Sequence, residues 1–404
     1  MPVLAPFRAL RPVPAAAPLV AAVPYDVVAT AEARALAAGN PLSFLHVSRA
    51  EIDLPSVNDP YDGAVYAQAA ENLRRLQVAA PLVVEDEPAL YVYQLQMGTH
   101  VQTGIAGCYA IDDYDRDVIK KHERTRRDKE DDRTRHVLAL RAQTGPVFLT
   151  YRATATIDAA VQAASAPPPL FDFTAADSIR HTLWTVPPAQ HAPLVAGFAA
   201  LPALYIADGH HRAASAARAR QALREQHGGA AGEWDSFLAV AFPHDQMQIL
   251  PYNRVIRDLN GRTPDNLLAE LRTMYAVADG TPAPARPGDV SMFLAGRWYT
   301  ITLGAATAAG ADSLDVSRLQ DTVLGPLLGI GDVRADRRID FVGGARGSAE
   351  LERLVGSGAA AVAFAMHPVS IDDLMAISDA GGIMPPKSTW FEPKLRDGLL
   401  IHVI

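Results

Sequence analysis

Residues 205–220 read YIADGHHRAASAARAR. An apolar run stops at Asp208, Gly209 follows, and His210, His211 and Arg212 open an alanine-rich segment of helical composition. A strand that ends in Asp208, a glycine that permits an unusual backbone angle and a helix that starts at once leave backbone N–H groups pointing out of the turn. Such a helix start attracts anions. His210, His211 and Arg212 add side-chain donors, and the planar arginine fork matches phosphate oxygens. Phosphate is therefore the expected ligand of this turn. Zinc is disfavoured, because adjacent helical positions lie about 100° apart and two neighbouring histidines can hardly chelate one ion. The bland alternative has Asp208 capping the helix and the histidines as ordinary surface or core residues. Nothing about packing asks for Gly-His-His-Arg, which favours a functional use.

A second cluster, IKKHERTRRDKEDDRTRH at 119–136, is dense in i,i+4 opposite-charge pairs such as Glu123 with Arg127, and most of it reads as a solvated helix face. His122 and Glu123 differ, since they sit where an apolar strand approach passes into the helix and can point inward. The segment resembles the zinc pattern H-E-x-x-H only superficially, because Arg126 stands in the place of the second histidine. A carboxylate beside phosphate-binding donors suits proton removal from a substrate hydroxyl or the holding of a divalent ion. Among other stretches, DFVGGARGS at 340–348 matches neither a dinucleotide fingerprint nor a P-loop and reads as a turn. MPPKSTWFEPKLRDG at 384–398 sets Lys387, Ser388, Thr389 and Lys394 among prolines and aromatics, where a lysine serves a phosphate or merely closes a lobe.

The elements that must position these residues alternate between strand and helix signals. ALYVYQLQ and HVQTGIAGCYAI, separated by Met97, Gly98 and Thr99, predict an antiparallel hairpin. A charged helix is expected over roughly 115–143, stopping at Gly145 and Pro146. Then come the strand PVFLTYRA, a helix at 156–165, the strand HTLWTV, a helix near 188–200, the strand ALYIAD and the motif helix, which runs to 227–229. Residues 236–256 read as two strands around a turn at Pro243 and His244. Beyond them lie a helix at 263–275, the hairpin SMFLAGRWYTITL, a helix at 313–328 and a strand–helix–strand run, with a Pro- and Gly-rich loop at 279–289. Such mixing predicts an α+β fold with mixed, largely antiparallel sheets. It divides into an N-terminal α/β region (1–100), a core (101–260) and a smaller C-terminal α/β lobe (261–404).

With 404 residues and 49% hydrophobic content, the chain can bury a sizeable core. A formal net charge of −8 argues against nucleic acid as a partner. The single cysteine, Cys108, fits a reducing cytoplasm and a small core position. Pro12, Pro14, Pro18 and Pro24 interrupt any signal-peptide helix, and no apolar run of about 18 residues spans a membrane. The expected partners are small-molecule substrates in the cytoplasm, with no nucleic acid and no membrane; a homo-oligomer is neither required nor excluded.

Taken together, YIADGHHRAASAAR, the upstream KHERT and DDR, LPYNRVI, PPKSTWFEPKLRDGL, and VPYDV and NPLSFLHVSRAE near the start resemble a widespread bacterial and archaeal family known as a domain of unknown function. The match is spread over nearly the whole chain. Its D-G-H-H-R element resembles that of free L-serine kinases of the ParB/sulfiredoxin-like superfamily, in which a strand, a glycine turn and a helix bind nucleotide phosphates. The resemblance implies a ParB/sulfiredoxin-like core and a kinase for the hydroxyl of free L-serine, with ATP, ADP or pyrophosphate as donor and Mg²⁺. It places Asp208, Gly209, His210, His211 and Arg212 on the donor phosphates, with Lys121 beside them and Asp208 as metal ligand. Glu123 would be the base, with His122 and Asp208 completing the catalytic set. Ser43, His46 and Arg49, and Asn253 with Arg254, are candidates for the acceptor's carboxylate and amine. No aromatic box for adenine is identifiable, which keeps pyrophosphate open. Two other classes compete. A ParB-like nucleotide-binding regulator would show a basic helix-turn-helix, and a small-ligand sensor would leave Glu123 dispensable.

Overall fold

The hairpin expected at Gly98 lies inside the first sheet. Tyr91–Met97 and His100–Ala110 pair antiparallel, and Gly98 turns between them at φ 59°. In the computed structural model, which describes residues 3–57, 59–80, 82–306 and 308–404, a nine-stranded sheet grows from this hairpin. Its order is Ile119–Lys120, Leu204–Asp208, Val147–Tyr151, Ser236–Pro243, His100–Ala110, Tyr91–Met97, Arg180–Thr185 and Phe171–Thr174, with Leu4–Ala5 added against His100–Ala110. Its parallel pairings join Leu204–Asp208 to Ile119–Lys120 and Ser236–Pro243 to Val147–Tyr151. The mixed, largely antiparallel character expected from the sequence is thus present. Val147–Tyr151 and Ser236–Pro243 are near-continuous apolar runs, buried on both faces almost throughout. Ile105, Leu149, Phe198, Ile206 and Phe237 are at most 1% exposed in this core, and each contributes about 1.5–3 kcal/mol on burial. Cys108 is also buried, as expected.

The chain divides into two compact units, residues 1–247 with 393–404, and residues 248–392. Strands on either side of residue 100 share the first sheet. The two strands read around Pro243 belong to different sheets, Ser236–Pro243 to the first unit and Tyr252–Ile256 to the second. Residues 393–404 return to the first unit, where Ile401–Val403 lies between Ala9–Arg11 and Ala142–Gln143 in a four-stranded sheet.

The second unit is built on a six-stranded antiparallel sheet, in the order Ala276–Asp279, Arg297–Thr302, Asp289–Leu294, Val362–Ala365, Tyr252–Ile256 and Ile339–Gly343. The proline-rich stretch is the loop between its Ala276–Asp279 and Asp289–Leu294 strands. The helix expected at 313–328 is shorter, Asp315–Leu319, and passes into a π-turn at Gln320–Leu324, where Gly325 N–H donates to Gln320 O at 2.8 Å.

One expectation needs correction. The single charged helix over 115–143 is two helices, Ile111–Asp115 and Arg127–Leu140, with the short strand Ile119–Lys120 between them. Ile119 is fully buried and pairs in parallel with Leu204, so this apolar step is drawn into the sheet rather than into a helix. The second helix ends at Arg141, left-handed at φ 50°, not at Gly145. Among the described residues no helix is long and apolar enough to cross a membrane.

Candidate functional site

The opening motif folds as its residue types dictate. The buried strand Leu204–Asp208 ends, Gly209 takes a left-handed conformation at φ 96°, and the helix His210–Gln226 begins. A side chain at Gly209 would be strained by this φ, and its Cβ would stand 3.0 Å from Arg212 Nε. Among the described residues, the backbone N–H groups of His210, His211 and Arg212 have no acceptor, whereas Ala213 N–H donates to Gly209 O at 3.0 Å. Asp208 therefore does not cap the helix.

Asp208 instead accepts from Arg212 Nη2 at 2.9 Å and lies 3.6 Å from Lys394 Nζ. Burial opposes its ionisation, but the Lys394 and Arg212 cations outweigh that and hold its carboxyl well below the usual range. Arg212, with its side chain 8% exposed, also donates from Nη1 to Pro146 O, while its buried Nε has no hydrogen-bond partner among the described residues. Burial disfavours the guanidinium charge, yet Asp208, Asp26 and Asp397 keep it firmly protonated. The fork expected to face phosphate is turned onto Asp208 and the Pro146 carbonyl.

The paired histidines do something the sequence did not suggest. His122 N–H donates to His210 Nε2 at 3.4 Å, and Arg126 N–H donates to His211 Nε2 at 3.0 Å. Two adjacent rings at the helix start thus clamp the backbone of the 122–126 segment. Burial lowers both ring pKa values, most strongly at His210, where His122 adds to the effect. Neutral rings that accept at Nε2 carry their proton on Nδ1. At His210 that nitrogen lies 3.9 Å from Glu123 Oε2. Glu123, 48% exposed, is therefore a solvent-reachable carboxylate on a segment fixed at both ends, a geometry suited to taking a proton from a bound hydroxyl. His122 is buried with its ring edge-on to His210 at 4.4 Å, and burial pushes it down to about 4. Its Nδ1 has no hydrogen-bond partner among the described residues.

Other nominated residues are engaged elsewhere. Lys121 Nζ donates to Tyr114 O at 2.6 Å, sits 4.2 Å from the Tyr114 ring centre and lies 3.5 Å from Asp117. Ser43 Oγ accepts from Leu45 N–H, and His46 Nδ1 is 2.8 Å from Asp53. Arg49 donates to Tyr25 O and Thr30 Oγ1 and lies 2.8 Å from Glu51. These three tie the segment before Asp53 together. Asn253 and Arg254 belong to the second unit: Asn253 Oδ1 accepts from Met366 N–H at 3.0 Å, and Arg254 donates to Tyr252 O and Lys387 O. Burial pulls Arg254 down to about 10.

Sequence reasoning passed over four residues that converge on the motif. Tyr25 and Asp26 come from VPYDV, Asp397 from PKLRDG, and Arg133 from the charged helix. Ala22 and Asp397 bond backbone to backbone in both directions, at 2.9 and 3.2 Å. Asp26 and Asp397 both act electrostatically on Arg212. The signal for Arg133 was present, since Arg133, His136, Val137 and Leu140 follow the i, i+3, i+4, i+7 spacing of an inward helix face. Among the described residues no group of three or more His, Cys, Asp or Glu side chains could hold a metal ion.

A model of the family described as "Protein of unknown function (DUF1015)" matches residues 4–317. No curated protein matches the chain. Among solved structures, a conserved hypothetical protein from Pyrococcus furiosus aligns at TM-score 0.35 and 12% identity, over 74% of this chain and 94% of its own. A free serine kinase mutant in complex with ADP aligns at TM-score 0.36 and 12% identity, over 72% and 92%. SbnI from Staphylococcus aureus, with a C-terminal truncation, aligns at TM-score 0.33 and 13% identity, over 72% and 85%. At such scores the likeness is weak, and no residue role is carried across from these structures.

Proposed function

The chain belongs to the DUF1015 family, and from the geometry of the Gly209 turn and the resemblance of its D-G-H-H-R element to that of free L-serine kinases we propose that it phosphorylates the hydroxyl of a small free amino acid, L-serine first, with ATP, ADP or pyrophosphate as donor. The nine-stranded unit is the ParB/sulfiredoxin-like core in this reading. The observation that carries the reading is the turn itself: three unpaired N–H groups at a helix start, flanked by the Arg212 and Lys394 cations on Asp208. That arrangement suits a donor's phosphate oxygens. Transfer needs no covalent enzyme intermediate. The serine hydroxyl oxygen attacks the terminal phosphorus, its proton passes to Glu123, and the bond to the leaving phosphate breaks as charge develops toward the N–H groups and cations. Positioning and charge neutralisation supply most of the rate in a loose phosphoryl transfer. Mg²⁺ enters this reading only as a companion of the donor phosphates, because Asp208 already faces two cations and does not suit a protein-held ion.

The test offers purified protein L-serine with each donor and Mg²⁺ and looks for O-phosphoserine by mass spectrometry. Formation with at least one donor is expected, and Glu123→Gln should lower the rate by ~10²–10⁴-fold. Absence of phosphoserine with every donor, or full activity in Glu123→Gln, would overturn the mechanism. Absence of phosphoserine with every donor, with phosphate binding retained in both the unaltered chain and Glu123→Gln, would favour the sensor reading.

A further inference from the structure

Behind Arg212 the first unit holds a small cavity, about 40 Å³, whose walls include Tyr25, Arg133, Gly145, Arg212 and Asp397. A water needs ~10–15 Å³, so this space takes the charged head of a small molecule and excludes a nucleotide. Its walls carry opposite charges that do not meet. Asp397 is 2% exposed, and among the described residues its carboxylate makes no hydrogen bond and no ion pair within 4 Å. Arg133 spends Nε on Asp132 Oδ2 at 2.8 Å and stacks its guanidinium 4.1 Å from the Tyr25 ring centre. Its two terminal nitrogens have no hydrogen-bond partner among the described residues. Gly145 is required at this wall, since a Cβ there would come 2.7 Å from Asp397 Oδ1. A half-buried fork and a buried carboxylate that line one cavity without pairing are complementary to a ligand with both an anionic and a cationic end.

We infer that this cavity receives the zwitterionic head of a free α-amino acid, with Arg133 holding the carboxylate and Asp397 the ammonium group. The inference rests on the phosphotransfer reading for the role of that amino acid as acceptor, and it assigns the acceptor's charged groups to these residues rather than to Ser43, His46, Arg49, Asn253 and Arg254. Arg212 joins the two sites, since it lines the cavity and bonds Asp208 at the donor turn. Burial pushes Asp397 up to about 7, against the pull of Arg212, Arg133 and Arg396 and with Asp26 adding to it. An ammonium group placed beside it supplies the compensating charge.

Binding is measured by titration calorimetry on the full chain with L-serine, L-alanine, N-acetyl-L-serine and L-serinamide. L-Serine and L-alanine should bind, whereas the two analogues that each lack one charge should bind ~30-fold or more weaker. Asp397→Asn and Arg133→Gln should weaken L-serine by a similar factor, and urea unfolding of both variants checks that they remain folded. Failure of L-serine to bind, or unchanged affinity in a folded Asp397→Asn, would overturn the inference, including the case in which only water fills the cavity. The two readings fail separately. Serine bound through Arg133 and Asp397 without phosphoserine from any donor removes the phosphotransfer and leaves the pocket. Phosphoserine formed by Asp397→Asn with unaltered KM removes the pocket and leaves the phosphotransfer.

Discussion

His210 and His211 looked like ligands for an ion, yet each uses one ring nitrogen to hold a backbone N–H of the segment that carries Glu123. Such a clamp works only while the rings stay neutral, because a protonated Nε2 is no longer an acceptor. Burial provides for that, and the same physics reaches His122 and His136, both held down to about 4 by burial. The sign for stability follows from proton counting. Between pH 6.5 and 4 the unfolded chain binds protons on these histidines that the folded chain refuses, so each one lowers stability as the solution is acidified. For His136, which hydrogen-bonds the Val47 carbonyl from the inward face of its helix, the loss is about 2 kcal/mol on going from pH 7 to 5. His136→Gln should remove that share, so the difference between its urea unfolding free energies at pH 7 and pH 5 should be smaller than for the unaltered chain. An identical pH difference in both proteins would show that His136 does not titrate on unfolding as its burial requires.

The strand–turn–helix at 204–226 was legible because everything that specifies it is local: an apolar run, a glycine and a helix-forming segment in succession. Gly209→Ala tests that locality. The left-handed conformation costs an alanine ~1–2 kcal/mol, and its Cβ would press on the Arg212 guanidinium at 3.0 Å. Urea unfolding should show a loss of at least that size, and phosphoserine formation should fall by more than the stability loss explains, since Arg212 and the N–H groups shift together. A variant with unchanged stability would refute the strain. The hairpin at Gly98 was legible for the same reason. What escaped the sequence depends on pairs far apart in it. The 122–126 loop reads as helix on charge pattern alone, and only the sheet pairing of Ile119 with Leu204 and the contact of Arg126 with His211, 85 positions away, keep it open. Lys394 was nominated without a target, and its target, Asp208, lies in a different motif. Asp397 was not nominated at all, because a lone aspartate beside a glycine carries no periodic signal.

At the scale of the molecule, residues 393–404 are part of the first unit's structure although residues 248–392 separate them from it in sequence. Ile401–Val403 is an inner strand of the four-stranded sheet, flanked by Ala9–Arg11 and Ala142–Gln143. Leu395, Leu399, Leu400 and Ile401 are at most 3% exposed, and their burial amounts to ~6–12 kcal/mol together, comparable with the whole stability of an ordinary domain, ~5–15 kcal/mol. The same segment brings Lys394 to Asp208 and Asp397 to the cavity, so fold and site depend on it jointly. Deletion of residues 393–404 should therefore abolish the cooperative urea transition of the first unit, followed by the fluorescence of Trp184, which packs against that unit's core. Leu399→Ala separates folding from site chemistry, because it should cost ~2–5 kcal/mol while leaving Lys394 and Asp397 in place, and L-serine affinity at low urea should stay near that of the unaltered chain. A deletion variant that unfolds with the same midpoint would show that these residues lie on the first unit without stabilising it.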